Sequence, residues 1–218
     1  MLGRHGATCD GVSSTDAARF RGLHNPDSTI RSRTYYLFHR FIKEGRNDIS
    51  EELAVNLVEG IRDLLNIQVD IPTLDSPDDD LLSEAIKNPG LFDSQLYLFE
   101  TLGTLISLVS KSAEQQASML LSIVTPLLDE LSSNLPAVQG RTDAIPILCI
   151  HHSIMALGNV AKGFPDYPSP VPEGYALPSL DVFRQVAQAI LACLEAMNVF
   201  KDVRDAVSRC CVSDKIRC

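Results

Sequence analysis

Apolar residues at helical spacing occur along this chain in paired segments. The first pair carries the stripes Ile30, Thr34, Leu37, Phe38, Phe41 and Leu53, Leu57, Ile61, Leu64. Residues three and four positions apart lie on one side of an α-helix, so each stripe predicts a helix with one buried face. No alternating strand pattern rises above this background. The chain is therefore predicted to be all-helical, with successive helices paired as antiparallel hairpins.

Residue types at the ends of the first two segments predict where these helices begin and end. Asp27 or Ser28 can cap the first helix, and Gly45 suits its end. Asp48 or Ser50 can cap the second helix in the same way, and its pattern runs to about Asn66.

The same pairing recurs further along the chain. Helices are expected from Asp93 to Val109, from about Glu114 to Leu131 with a kink at Pro126, from 142 to 161 and from 179 to 198, and "NVFKDVRDAVS" begins another. With the long loops removed, this spacing approaches that of a two-helix HEAT-type repeat. The predicted fold is an α-α superhelix, a HEAT-like repeat solenoid of three hairpins and the start of a fourth. Because such a stack leaves its terminal repeats partly uncovered, the chain is expected to be part of a longer array.

The first long loop carries prolines and acidic residues. "QVDIPTLDSPDDDLLSEAIKNPG" is expected to be a loop holding at most one short helix. Its run Asp78, Asp79, Asp80 is typical of a solvated loop, and contact with a basic partner is the alternative.

Composition and motifs argue against several classes of function. The 218 residues carry a net charge of −9 and six cysteines without a CxxC pair, which indicates reduced intracellular thiols. The apolar run Ile145–Ile150 is too short to span a bilayer, so no membrane insertion is expected. "CIHHS" at 149–153 suits a core helix better than a metal or thiol site, and no phosphate loop or catalytic motif is present. We expect no enzyme, catalytic residue, metal, cofactor or small-molecule substrate.

One flank of the first helix combines basic and aromatic side chains. Residues 1–46 carry eight Arg or Lys against four Asp or Glu, whereas the rest of the chain is acidic. Arg33, Arg40 and Lys43 fall beside Tyr36 within about a quarter of the helix circumference. These three residues are candidate RNA contacts, and a solvated face or a protein contact is the alternative. Arg31 and Arg204 occupy positions where HEAT repeats often place an arginine that bonds the neighbouring repeat.

Two segments of this sequence resemble the exportin-T family of the karyopherin-β superfamily, and its fungal branch most. They are "STIRSRTYYLFHRFIK" and "LFDSQLYLFETLGTLIS", which occur in the family's order. The resemblance implies a fragment of a nuclear export receptor that binds tRNA together with Ran-GTP, meets nuclear pore proteins, and shuttles between nucleus and cytoplasm. Structured RNA would be recognised through phosphates and 2′-hydroxyls, which Arg and Lys contact.

The likeness divides the chain into three parts. Residues 1–24 are expected to be an atypical, disordered segment, 25–207 the exportin repeats, and 208–218 an atypical tail. A protein–protein scaffold without RNA binding is the alternative function, and it is favoured by the acidic balance of the chain beyond residue 46.

Overall fold

The structure, a computed structural model, describes residues 22–73, 81–140, 144–166, 170, 173 and 180–196. Its helices are α1 (Ser28–Gly45), α2 (Glu51–Ile61), α3 (Leu81–Lys87), α4 (Leu91–Ser107), α5 (Ala113–Gly140), α6 (Ala144–Gly163) and α7 (Leu180–Ala196). Short 3₁₀ turns at Arg46–Asp48 and Arg62–Leu65 follow α1 and α2. No strand occurs in these ranges, so the all-helical prediction is confirmed. The acidic run at 78–80, Arg204, the tail at 208–218 and residues 1–21 of the predicted atypical N-terminal segment lie outside the described residues. Residues 22–24 of that segment are described, and Leu23 is buried in the core.

Side-chain caps fix the starts of α1 and α2 as predicted. The Asp27 carboxylate accepts hydrogen bonds from the amides of Thr29 and Ile30 at 2.8 and 3.3 Å. The Ser50 hydroxyl accepts one from the Leu53 amide at 3.2 Å. Each bond satisfies an amide that has no partner within the first helical turn.

The predicted boundaries of α4 and α5 need correction. α4 begins at Leu91 rather than at a cap on Asp93, because Gly90 has a φ of 60° that favours glycine and turns the chain into the helix. Asp93 lies in the first turn, where its carboxylate faces the positive end of the helix dipole. α5 continues through Pro126 and Pro136 to Gly140, beyond Leu131, the last residue of its predicted apolar stripe.

In chain order, the helices of the described residues form three consecutive pairs: α1 with α2, α4 with α5, and α6 with α7. The first helices of the hairpins lie side by side, with α4 packed between α1 and α6. The second helices cover them, since α2 packs on α4, and α5 packs on both α6 and α7. This order agrees with the predicted HEAT-like repeats and places one edge of α1, α4 and α6 along a common surface. The predicted start of a fourth hairpin at 198–208 lies outside the described residues.

The backbones of α4 and α6 approach each other at two glycines. A Cβ added to Gly163 would lie 2.7 Å from the Cα of Gly103 and would collide with the Glu100 carbonyl. A Cβ on Gly103 would collide with the Val160 carbonyl. Only glycine permits this distance, so the pair sets how closely the second and third hairpins stack.

The buried face of α1 differs from the predicted stripe. Tyr35, His39 and Ile42 are buried against the rest of the fold, whereas Phe41 is 63% exposed and Leu37 54% exposed. Ile30 is exposed as well, and only Phe38 packs partly against the core. The prediction that Phe41 is a core residue is wrong. α1 is apolar on two sides, and α4 covers the side that carries Tyr35 and His39.

The uncovered apolar side of α1 continues onto α2. In α2 the small residue Ala54 and Val58 are buried, while Leu53 is exposed and Leu57 only partly buried. Together the two helices form an apolar groove of about 530 Å³, lined by Leu23, Leu37, Phe38, Phe41, Leu53 and Leu57 among others. We call this surface the apolar groove. Its exposure agrees with the expectation that an end of the stack presents apolar side chains.

α6 is the one helix in the described ranges that is long and apolar enough to cross a membrane, with a mean hydropathy of 1.5. The sequence analysis considered only the apolar run Ile145–Ile150 and therefore did not recognise that the whole helix, Ala144–Gly163, is long enough to cross a membrane. The structure buries 67% of that helix window inside the protein, among α3, α4 and α5. A helix that is apolar on nearly all sides is expected at the centre of a helical core.

Candidate nucleic-acid interface

The three basic residues predicted on α1 are all exposed, and two of them are ion-paired. Arg40 donates to Glu44 one turn away, at 2.7 Å between Nη2 and Oε1. Lys43 pairs with Glu100 of α4, at 3.4 Å between Nζ and Oε1. Arg33 is exposed and forms no ion pair with any described residue. All three therefore present positive charge to solvent, and Lys43 also contacts the next hairpin.

Arg31 bonds the turn that precedes its own helix. Its guanidinium donates to the backbone carbonyls of Asn25 and Pro26 at 2.9 and 3.2 Å. These bonds fix the entry of the chain into α1. An inter-repeat role for Arg31 stays a prediction, as it does for Arg204.

A buried carboxylate on α4 links the three first helices. The Glu100 side chain is 7% exposed, and its Oε2 accepts a hydrogen bond from Lys162 Nζ of α6 at 2.6 Å. Its Oε1 faces Lys43 Nζ of α1 and lies 3.7 Å from His39 Nε2. Each of the three helices thus supplies a charged group to one point. We call Glu100, Lys43 and Lys162 the charge cluster.

The cations of the charge cluster keep Glu100 ionised. Burial alone would raise the pKa of Glu100, but the hydrogen bond and charge of Lys162, with smaller effects from His39 and Lys43, hold that pKa below its usual value. The pKa of His39 is lowered, chiefly because burial disfavours its charged form. The Thr101 hydroxyl donates to the backbone carbonyl of Tyr97, so it accepts a hydrogen bond from His39 Nδ1 at 3.3 Å.

Aromatic rings lie beside the charge cluster. The rings of Tyr36 on α1 and Tyr97 on α4 meet edge to face with centroids 5.3 Å apart, and His39 lies 5.4 Å from Tyr97. Tyr36 is 41% exposed, so its ring is accessible from solvent. The surface combines cations with aromatic faces, which can contact phosphates and stack on unpaired bases.

Sequence reasoning missed the α4 and α6 members of this surface. Glu100, Tyr97 and Lys162 become neighbours of Lys43 only when the hairpins stack, and spacing within one helix cannot show that. A signal existed in "LYLFETLG", because a glutamate within such an apolar run must be paired if it is buried.

The histidine segment of α6 is a core feature. His151 and His152 are buried, their Nδ1 atoms lie 3.1 Å apart, and the His152 ring stacks on Phe92 at 3.8 Å between centroids. Burial lowers the pKa of His151 to about 4, and burial with the neighbouring His151 lowers that of His152 to about 3. In the described part of the chain, no group of three or more His, Cys, Asp or Glu side chains gathers that could hold a metal ion.

The fold and this surface define a class of protein: a solenoid of stacked helical hairpins with a basic and aromatic edge. The family model for exportin-T matches residues 14–216, so the chain belongs to the exportin-T family. Exportin-T is a family of nuclear export receptors, which are transport proteins rather than enzymes.

Three relatives named exportin-T each cover most of this chain. Exportin-T of Laccaria bicolor is 59% identical over 187 residues, which cover 85% of this chain and 17% of that protein. Exportin-T of Coprinopsis cinerea is 50% identical over 188 residues, covering 85% of the chain and 18% of the relative. The relative from Mycosarcoma maydis is 35% identical over 190 residues. The chain therefore spans less than a fifth of the length of these relatives.

Proposed function

We propose that this chain is a cargo-binding part of a nuclear export receptor for tRNA. It contacts tRNA in the presence of Ran-GTP and releases it in the cytoplasm when GTP is hydrolysed. The receptor meets nuclear pore proteins and shuttles between nucleus and cytoplasm. The observation that carries this proposal is the match to the exportin-T family over residues 14–216.

The basic and aromatic edge supports RNA as the cargo. Arg33, Arg40 and Lys43 present exposed cations on one flank of α1, next to the exposed ring of Tyr36. Structured RNA offers phosphates and 2′-hydroxyls rather than readable base edges in its deep major groove. A surface of this kind therefore suits recognition by backbone and shape, with affinity that falls as salt rises.

The competing function is a protein–protein scaffold that binds no RNA. The net charge of −9 and the exposed apolar groove favour it, because both suit protein partners. The two functions differ in one measurable property, which is affinity for tRNA.

A filter-binding titration separates these functions. The purified chain is titrated against labelled mature tRNA, without Ran, with Ran-GTP and with Ran-GDP, at several salt concentrations. We expect saturable tRNA binding that weakens with salt and is strongest with Ran-GTP. An unstructured RNA of equal length serves as the control and should bind more weakly. Absence of tRNA binding under every condition would contradict the proposal that this chain binds RNA and would favour the scaffold function.

A further inference from the structure

The sequence analysis did not propose Lys162 as a candidate site residue. In the structure, its ammonium group pairs with the same carboxylate as Lys43, that of Glu100. The two lysines come from α6 and α1, which belong to different hairpins, and α4 lies between them. Lys162 Nζ contacts Glu100 Oε2 and Lys43 Nζ contacts Glu100 Oε1. Because both oxygens belong to one carboxylate, the two ammonium groups are held over one small area of the surface.

The lysines remain available to a ligand although they are paired. Their side chains are 61% and 63% exposed, whereas that of Glu100 is 7% exposed. An ammonium has three N–H donors, and the bond to Glu100 uses one of them. The charge cluster carries two positive charges and one negative charge, so it presents a net positive charge to solvent. A phosphodiester, with one negative charge and two free oxygens, complements that arrangement.

We propose that Lys43 and Lys162 together clamp one backbone phosphate of the RNA, and that Glu100 is the residue that positions them. This inference rests on the proposed tRNA binding and deepens it, since it assigns a contact to α6. Glu100 serves as a positioning residue because it is buried beneath the two cations and fixes both. The stacking of α4 on α6 at Gly103 and Gly163 sets the position of Lys162, which directly precedes Gly163.

The test measures tRNA binding to the 218-residue chain over a series of salt concentrations. Lys162→Ala should weaken binding about 3- to 10-fold at moderate salt and reduce the slope of log K against log salt by about one, the value for one lost phosphate contact. Lys162→Arg keeps the charge and should recover most of that slope. The matched control is Lys87→Ala, because Lys87 is also 63% exposed and also pairs with a carboxylate, that of Glu84. It should leave both affinity and slope unchanged.

The variant Lys43→Ala/Lys162→Ala distinguishes a clamp from two separate contacts. If both lysines hold one phosphate, the double variant also reduces the slope by about one. A reduction of about two would show independent contacts and overturn the clamp. Should this variant fail to fold because Glu100 is left buried without a cation, Lys43→Gln/Lys162→Gln replaces it, since each glutamine removes the charge but can still donate a hydrogen bond towards Glu100.

The positioning role of Glu100 has its own readout. Glu100→Gln removes the negative charge beneath the two lysines, so lysines that acted independently would then bind tRNA more tightly. A positioning role predicts weaker binding instead, with helical content unchanged by circular dichroism.

Lys162→Ala binding curves that overlay those of the wild type at every salt concentration would overturn the clamp while leaving the proposed function intact. Failure of the wild-type chain to bind tRNA would overturn both.

Discussion

Gly103 and Gly163 place the backbones of α4 and α6 in contact, and that contact aligns Glu100 with Lys162. A side chain at either glycine would meet backbone atoms of the opposite helix, which cannot rotate away. The two glycines, which have no side chain, therefore determine the distance between the second and third hairpins. The same distance determines whether the charge cluster can form.

Gly103→Ala should destabilise the fold because the added Cβ collides with the Val160 carbonyl. We expect the free energy of unfolding to fall by about 1–3 kcal/mol, the usual cost of overpacking. Denaturant unfolding followed by circular dichroism measures this change. Gly45→Ala is the control, because a Cβ at the end of α1 meets nothing within 4 Å. Equal stability of the two variants would show that α4 and α6 separate at little cost.

The accuracy of the sequence predictions depended on how local each feature is. The caps at Asp27 and Ser50 were predicted correctly because a cap involves residues two or three positions apart. The start of α4 was misplaced because Gly90 turns the chain through a positive φ that the cap pattern did not reveal. Helix pairing was also predictable, since it follows from the order and length of the apolar segments.

The buried face of α1 could not be predicted from its own sequence. Phe41 looks like a better core residue than His39, yet His39 is buried because Thr101 and Glu100 on α4 offer it polar partners. The hydrophobicity of a single helix shows which of its faces could be buried. Which face is buried depends on the side chains of the helix that packs against it. The same limit applies to the charge cluster, whose members are far apart in the sequence.

Phe41→Ala should have little effect on the stability of this chain, contrary to the expectation for a core ring. With Phe41 63% exposed, we expect the free energy of unfolding to change by less than about 1 kcal/mol. Phe99→Ala is the comparison, since Phe99 is 1% exposed and its loss should cost about 3–5 kcal/mol. Denaturant midpoints measure both. A loss at Phe41 as large as that at Phe99 would mean that the ring is covered in solution.

Self-association of the isolated chain should depend on the apolar groove. Two copies that meet through this surface remove Leu37 and Phe41 from water, which favours association. Leu37→Ser/Phe41→Ser should therefore shift the chain towards monomer in sedimentation velocity experiments over a concentration series. Ile71→Ser is the control, because Ile71 is 45% exposed but does not line the groove. A wild-type chain that stays monomeric at high concentration would contradict this prediction.

Acid should destabilise the fold through the buried histidines of α6. In the unfolded chain a histidine takes up a proton near pH 6.5, whereas the folded pKa values of His151 and His152 are about 4 and about 3. Below pH 6.5 the unfolded chain therefore binds more protons, and stability falls as the pH drops towards 4. Each histidine should cost on the order of 2 kcal/mol at about pH 5.

Denaturant unfolding at about pH 7.5, 6 and 5 measures this dependence. His152→Gln removes one of the two titrating groups, so the loss of stability between pH 7.5 and 5 should be clearly smaller than in the wild type. The readout is the pH dependence rather than the absolute stability, since the substitution also removes the stacking on Phe92. An unchanged pH dependence would show that His152 is already charged or accessible in the folded chain.

The final prediction concerns the exposed arginines of α1. If Arg33 and Arg40 contact tRNA phosphates, each alanine variant should reduce the salt slope of binding by about one. The effect should be similar for tRNAs of different sequence, because phosphate contacts carry no sequence information. Both positions lie off the buried face of α1, so stability should stay within about 0.5 kcal/mol of the wild type.

Arg184→Ala provides the matched control for Arg40→Ala. Arg184 on α7 is 58% exposed and pairs with Asp181 on its own helix, just as Arg40 is 54% exposed and pairs with Glu44. Each variant therefore removes one exposed, ion-paired arginine charge, and the two variants differ only in where that charge lies on the protein. A reduced slope in Arg40→Ala but not in Arg184→Ala would place the RNA on the α1 edge. Equal slopes in the two variants would leave Arg40 as a solvated side chain and assign the salt dependence to other residues.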